Sequence, residues 1–298
     1  MAYLEHRPSG ILYHYTSSAG FRGIVSSKRL WFSDIRTSND PREIIFGLGR
    51  IRPIATQLLN NMKGEQNAAP LRGMLDGVFQ AIKDTSYFCC CFSPHGDQLP
   101  MWRSYSELGD GLSIGFRPRA LFDLHGRFNK IDYFPEADSD VAKDIKLKQV
   151  IGEILDRAKN YRIEMSIEQR LAFATEIISR CTSIKHASWE YEHEVRCLYS
   201  QSNSPGFLNG RIVPTVLLAD GSGLGPFEIK SRESRSSQVN YLDFNYGKMR
   251  NKEFDAAGAI AKVFVGPKST LSVPDVRAIL NSEGFVDFEV VQSECSWR

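Results

Sequence analysis

The chain has 298 residues, a mass of 33.7 kDa and a formal net charge of +2 at pH 7. Apolar residues at 42%, charged at 24% and aromatic at 11% are globular proportions and exclude disordered, collagen-like and low-complexity classes. The nearly balanced charge gives no general pull toward nucleic acid or anionic membrane, so either partner needs a local patch.

Met1 to Arg7 lacks an apolar core segment, and no uncharged apolar run is long enough to span a bilayer. A cytoplasmic protein without a membrane partner is expected. Ile11 to Tyr15 reads as a strand, and Thr16 or Ser17 can cap a short helix that carries Phe21, Ile24 and Val25 on one face. Leu30-Trp31-Phe32 reads as a returning strand. Asn39-Asp40-Pro41-Arg42-Glu43 then offers an Asp cap, Pro at the first helical position and Glu three residues after the cap, ahead of Ile44, Ile45, Leu48 and Ile51. Pro53 should kink or end that helix, and Leu71, Met74, Leu75, Val78, Phe79 and Ile82 mark another.

Residues 86 to 93 form a buried strand that ends at the turn Ser93-Pro94-His95-Gly96. A short helix is expected over Leu99 to Leu108 and a strand over Leu112 to Phe116. From Ser139 to Lys185 the period is helical, in two segments divided by a Ser166/Gln169 capping box. Because strand patterns resume at Tyr191 to Tyr199, residues 139–186 read as a helical insertion within a single domain, 1–298. Residues 201–236 are rich in Gly, Ser and Pro and read as surface loops around one strand, Arg211 to Leu218. Ile260 to Val265 is a strand; Ser272 caps a helix that contains Pro274; Gly284 stops it; Phe285 to Val291 is a last strand.

Cysteines stand at 89, 90, 91, 181, 197 and 295, with no C-x-x-C pair and no His at zinc-finger spacing, so no metal is expected. Cys89, Cys90 and Cys91 would alternate between the faces of a strand and read as packing residues; a reactive thiol at Cys91 is the alternative.

Four motifs carry candidate chemistry. In Tyr13-His14-Tyr15-Thr16 an imidazole and a hydroxyl at a helix opening can bind sugar hydroxyls and phosphate, or His14 is structural. Ser33 with residues 39–43 is the second, where helix capping alone would explain Asp40, Pro41 and Glu43. In the third, Met101, Trp102 and Tyr105 at helical spacing form either a face for a flat ring or a core stripe. In the fourth, Trp189 to Arg196, a strand would set Glu190, Glu192 and Glu194 on one face. Such crowding is costly unless cations or function offset it, and a solvated edge is the alternative.

In this order, HYTS, LWFS with NDPRE, CFS with MW and Tyr, GLSIGF and W-x-x-E-x-E-x-R resemble the bacterial family that carries the domain of unknown function 2971, over about residues 11–199 and more weakly the VFVGP strand and tail. A further resemblance is to the ADP-ribosyltransferase fold: the strand with His14, the helix with Gly23-Ile24 and the return to Ser33 are similar to the opening of nucleic-acid-modifying members, and Glu192-His193-Glu194 is similar to their E-x-E element. This implies an α+β fold, a split β-sandwich with helical insertions at about 40–85 and 139–186 and NAD as substrate in its cleft. His14, Tyr15, Thr16 and Ser33 would bind the dinucleotide, Trp102 or Tyr105 would stack on nicotinamide, Glu194 would be catalytic and Glu192 would serve the acceptor. The acceptor would be nucleic acid (RNA or DNA) or protein, nucleic acid being favoured, with six basic residues at 230, 232, 235, 248, 250 and 252 as a phosphate-contacting loop or a solvated surface. Enzymes of this kind serve as toxins or phage-defence effectors, which implies a neutralising antitoxin protein. The rival reading is a non-catalytic module that binds a nucleotide or partner.

Overall fold

The computed structural model describes residues 6–296 except 38–39, 41, 63–67, 83–84, 123, 136–140, 160–166, 203–206, 209–210, 213–215, 218–222, 225, 235–236 and 248–254. In chain order its elements begin β1 (Leu12–Thr16), α1 (Ser18–Ser27), β2 (Arg29–Asp34), α2 (Glu43–Asn61), α3 (Ala68–Ala81), β3 (Thr85–Phe92), α4 (Leu99–Tyr105), β4 (Leu112–Phe116) and α5 (Pro118–Leu121). They continue with β5 (Arg127–Lys130), β6 (Asp132–Phe134), α6 (Val141–Lys159), α7 (Ile167–Cys181), β7 (Ile184–His186) and β8 (Val195–Ser202). Four short strands follow, β9 (Phe207–Leu208), β10 (Arg211–Ile212), β11 (Val216–Leu217) and β12 (Gly223–Leu224). The chain closes with β13 (Lys230–Ser234), β14 (Ser237–Asn245), β15 (Ile260–Val265), α8 (Val273–Ser282) and β16 (Glu289–Gln292).

Two sheets make the frame of this mixed α+β fold. One has four strands in the order β1-β4-β15-β16, and the other six in the order β13-β14-β2-β3-β8-β5. Every neighbour pair is antiparallel except β15–β16, which are parallel and joined through α8. Side chains of a strand alternate between faces, and both faces of the six-stranded sheet are used. Leu30, Phe32, Phe88, Cys90, Phe92, Cys197, Tyr199, Leu242 and Phe244 point inward and meet Leu12, Ile114, Phe116, Val263 and Val265 of the other sheet. Tyr87, Cys89 and Leu198 point outward, under a layer built from α2, α3, α6 and α7. The two helical insertions therefore pack on each other and share one layer, and among the described residues two main apolar cores form, one on each face of the larger sheet.

Several expectations shift locally. Ser17 is the cap of α1, accepting the Gly20 N–H at 2.9 Å. Helix α2 starts at Glu43, and Asp40 accepts the Arg42 N–H at 3.0 Å; Glu43 does not reach back as a capping residue, and Asn39 and Pro41 lie outside the described residues. The helix runs through Pro53 to Asn61 because Ala55 and Leu59 continue its buried stripe. Helix α4 stops at Tyr105, since Ser106 leaves the helical region and Glu107 and Leu108 take positive φ. The strand expected from Tyr191 begins at Val195, after a 3-10 turn over Ala187–Glu192 and a left-handed His193 at φ 45°. Ser166 of the expected capping box lies outside the described residues. At α8 the Ser272/Asp275 capping box forms with Pro274 in the first turn, and Gly284 takes φ +78° beyond its end.

One glycine sets a helix crossing that matters for the site. A Cβ on Gly47 would stand 1.8 Å from the Cys181 carbonyl oxygen, so only glycine lets α2 approach the end of α7 this closely. That crossing is one helical turn from Glu43 and four residues before Lys185. Among the described residues no helix is long and apolar enough to cross a membrane.

Candidate functional site

The inner faces of the two sheets are filled with apolar side chains, so the expected cleft does not open between them. A cavity of about 650 Å³ lies instead along the outer face of the six-stranded sheet and at the junction where β1 meets the end of β3 through the Tyr13/Ser93 bridge. Its lining comes from β1 (His14, Tyr15, Thr16), β2 (Trp31, Ser33), β3 (Cys89, Cys91), α4 (Tyr105), α2 (Glu43) and the segment bearing Lys185, Glu192, Glu194 and Arg196.

Five buried charges form one wall. Lys185 Nζ lies 2.9 Å from Glu43 Oε1, 2.7 Å from Glu192 Oε2 and 3.3 Å from Glu194 Oε2. Arg196 holds Glu194 through two bonds, Nε to Oε1 at 2.7 Å and Nη2 to Oε2 at 3.0 Å, and also reaches Glu43 Oε1 at 3.0 Å. Three carboxylates against two cations leave one uncompensated negative charge. Glu43 Oε2 is buried with no hydrogen-bond partner. Bringing these charges out of water is costly, and only their mutual bonding offsets it.

The two carboxylates of the E-x-E element differ in proton affinity. Burial pushes the Glu194 carboxyl up, but Arg196 and Lys185 outweigh it and hold it at about 2. Burial raises Glu192, Lys185 only partly offsets this, and the charge of Glu194 adds to the rise. Tyr105 donates its hydroxyl proton to Glu192 Oε1, and burial beside that carboxylate raises its own pKa. Lys185 is held protonated by Glu194, Glu43 and Glu192 against the effect of its burial.

The local backbone explains the inward pair. On a strand, residues 190, 192 and 194 would share one face; here the 3-10 turn and left-handed His193 send Glu192 and Glu194 inside, each 3% exposed, and leave Glu190 in solvent. The expected crowding is thus a pair with two cations rather than a face of three. Tyr133 Oη accepts the Glu194 N–H at 2.8 Å and fixes the approach to β8.

His14 is half-buried, and its Nδ1 donates to the Cys91 carbonyl at 2.9 Å. A carbonyl only accepts, so Nδ1 carries the proton and Nε2 remains an acceptor. Burial lowers the His14 pKa, favouring the neutral ring. Thr16 and Ser33 line the same cavity. Tyr15 contributes ring surface, its hydroxyl already donating to the His95 carbonyl at 2.9 Å and accepting the Gln98 N–H at 3.1 Å. Trp102 is a correction: it is fully buried, edge-on to Tyr15 with centroids 5.0 Å apart, donates to Asp97 at 2.6 Å and does not line the cavity. The helical stripe thus divides, Trp102 going to the core and Tyr105 to the site.

Cys89 and Cys90 are buried packing residues at the cavity floor, and Cys91 is exposed in the cavity. Its hydrogen bond to Cys89 and its desolvation raise its pKa well above the usual range, opposite to what a reactive thiolate needs. Of the basic loop, Lys230 pairs with Asp243 at 2.9 Å and Arg232 lies in the cavity wall; Arg235, Lys248, Arg250 and Lys252 lie outside the described residues.

Sequence reasoning missed Lys185, which nothing local marks, and it explained Glu43 of the second motif by a helix-capping role that the structure does not show. Arg196 carried a signal, a cation inside the apolar run Val195 to Tyr199 and the last letter of W-x-x-E-x-E-x-R. Residues 101–197 match the family described as protein of unknown function (DUF2971), a segment that holds Tyr105, Lys185, Glu192, Glu194 and Arg196. Neither a curated protein nor a solved structure matches the chain. Over residues 101–197, with the site's carboxylate pair and both its cations inside that span, the chain is similar to the DUF2971 family.

Proposed function

We propose that this cavity transfers ADP-ribose from NAD⁺ to a macromolecular acceptor, nucleic acid rather than protein, on a fold of the ADP-ribosyltransferase kind. The observation that carries the reading is the pair Glu192 and Glu194, which share one lysine yet have proton affinities driven apart. Two carboxyls pushed in opposite directions are the arrangement an enzyme needs when one must stay charged and the other must take a proton. Glu194 stays ionised and faces the positive charge that builds on the ribose as its C1′–N bond to nicotinamide breaks. Nicotinamide leaves with the bonding electron pair. The acceptor oxygen forms the new bond at C1′, and its proton passes to Glu192. His14 Nε2, Thr16 and Ser33 offer hydrogen bonds to ribose hydroxyls and phosphate, and the Tyr105 ring offers a flat surface to nicotinamide. The surplus negative charge of the wall favours a cationic substrate end.

One observation favours the rival, a module that binds a nucleotide or partner without turnover: both Glu194 oxygens are already bonded to Arg196 and Lys185. Incubation with NAD⁺ and measurement of free nicotinamide, with and without RNA, DNA and lysate protein, separates the two. A neutralising antitoxin would fit a toxin or phage-defence role and is sought by co-purification.

A further inference from the structure

Trp31 sits on the outer face of β2, 46% exposed and lining the cavity, and no role assigned above uses it. An open indole on a sheet face loses its hydrophobic stabilisation unless something covers it. Tyr241 on the neighbouring β14 packs beside it with centroids 4.7 Å apart, and the Arg232 guanidinium of β13 lies 4.9 Å from the Trp31 ring. Arg232 Nη2 reaches Ser33 Oγ at 3.3 Å, while its buried Nε has no hydrogen-bond partner.

The charge around these rings is positive. Arg29 and Lys230 share one carboxylate, Asp243, at 2.6 and 2.9 Å, and Arg232 adds a third cation over the Trp31 ring. The patch is therefore basic while the glutamate wall is acidic, and Trp31 and Arg232 of the patch line the same cavity as that wall, with Tyr241 and Lys230 beyond its rim. The register relates them: Ser33 pairs with Cys89, which brings Trp31 level with Cys91, and Cys91 pairs with Arg196. β2 and β8 are two strand spacings apart, about 10 Å, which is on the order of one nucleotide.

We propose that Trp31, Tyr241 and Arg232 form a stacking platform for one unpaired base of a single-stranded nucleic acid, with its phosphates against Arg232 and Lys230. Flat aromatic surface next to cations is the chemistry that binds single strands irrespective of sequence, because every base has a face to stack and every linkage a charge. A base held there lies level with Arg196 and in the same cavity as Glu192. That acceptor role rests on the transferase reading; binding itself does not.

The test is fluorescence anisotropy with fluorescein-labelled ten-nucleotide oligo(U) and oligo(dT), on wild type, Trp31→Ala, Trp31→Phe and Arg232→Gln, with nicotinamide release measured in parallel. Trp31→Ala should weaken oligonucleotide binding by about tenfold or more, Trp31→Phe should restore most of it, and Arg232→Gln should flatten the salt dependence by about 0.7 in the log–log slope. Preference for oligo(U) or oligo(dT) identifies the strand. Equal binding by wild type and Trp31→Ala, or no binding by wild type, overturns the platform. So does a Trp31→Ala protein that binds oligonucleotide normally but has lost affinity for NAD⁺, since the ring would then belong to the dinucleotide. Oligonucleotide binding that depends on Trp31 without any nicotinamide release would uphold the platform and refute the transferase.

Discussion

Lys185→Met tests whether the buried wall is a single electrostatic unit. Lys185 is 5% exposed at its side chain and lies within 3.3 Å of three carboxylates, so its loss leaves those three facing Arg196 alone. Methionine keeps most of the volume and removes the charge. Breaking a buried pair by deleting one partner typically costs about 3–5 kcal/mol. At roughly 2–4 °C per kcal/mol for a chain near this size, the melting temperature at pH 8 should fall by roughly 6–20 °C. The sign of the pH dependence follows from Glu192, whose pKa is already raised by burial and then loses its main cation. A carboxyl with a raised folded pKa favours the folded state at low pH and loses that contribution as pH rises through its value. The deficit of Lys185→Met should therefore shrink from pH 8 toward pH 5, and adding Glu43→Gln should recover part of it. Thermal melts by circular dichroism give both quantities. A variant that melts within about 1 °C of wild type at pH 8, or whose deficit grows on acidification, would refute the electrostatic account.

Glu194 behaves in the opposite sense: its carboxyl is held at about 2 against an ordinary 4.5, a gap worth roughly 3 kcal/mol that is present above pH 4.5 and lost as pH falls toward 2. The stability gap between wild type and Glu194→Gln in urea titrations should narrow over that window, and a constant gap would contradict it. Trp102→Phe should lower the melting temperature by loss of the Asp97 bond without changing KM for NAD⁺, whereas Tyr105→Phe, which removes the donor to Glu192, should lower kcat with little change in melting; the reverse pattern would move the stacking role to Trp102. Gly47→Ala should destabilise by about 1–3 kcal/mol, because overlap with the Cys181 carbonyl exceeds the roughly 1 kcal/mol that alanine gains in helix propensity; a stabilised variant in urea melts would refute the close crossing.

The elements were legible where one periodicity dominated. The strands β4 and β15, the capped α8 and the stripe of α3 follow from pattern alone, whereas of the face expected on α2 only Ile51 is buried and Ile45 is exposed. The site was legible at His14, Tyr105 and the E-x-E pair, because polar or flat side chains stood where a strand or helix had to end. It was not legible at Glu43 and Lys185, which stand 142 residues apart, with Glu194 a further 9 residues on, and which are brought together beside the α2–α7 crossing. Trp102 misleads because an aromatic at helical spacing reads the same whether it faces a core or a cavity. Backbone handedness at His193 has no signature in residue type, so Glu190 looked equivalent to Glu192 and Glu194.

The most direct measurement is nicotinamide release from NAD⁺ by wild type and Glu194→Gln side by side, well below the melting temperature of each, with RNA, DNA and protein acceptors. The account expects release by wild type and a loss of at least roughly a hundredfold in Glu194→Gln, because the charge acts chiefly on the transition state. Release that is equal in both proteins, or absent from folded wild type with every acceptor, would contradict it.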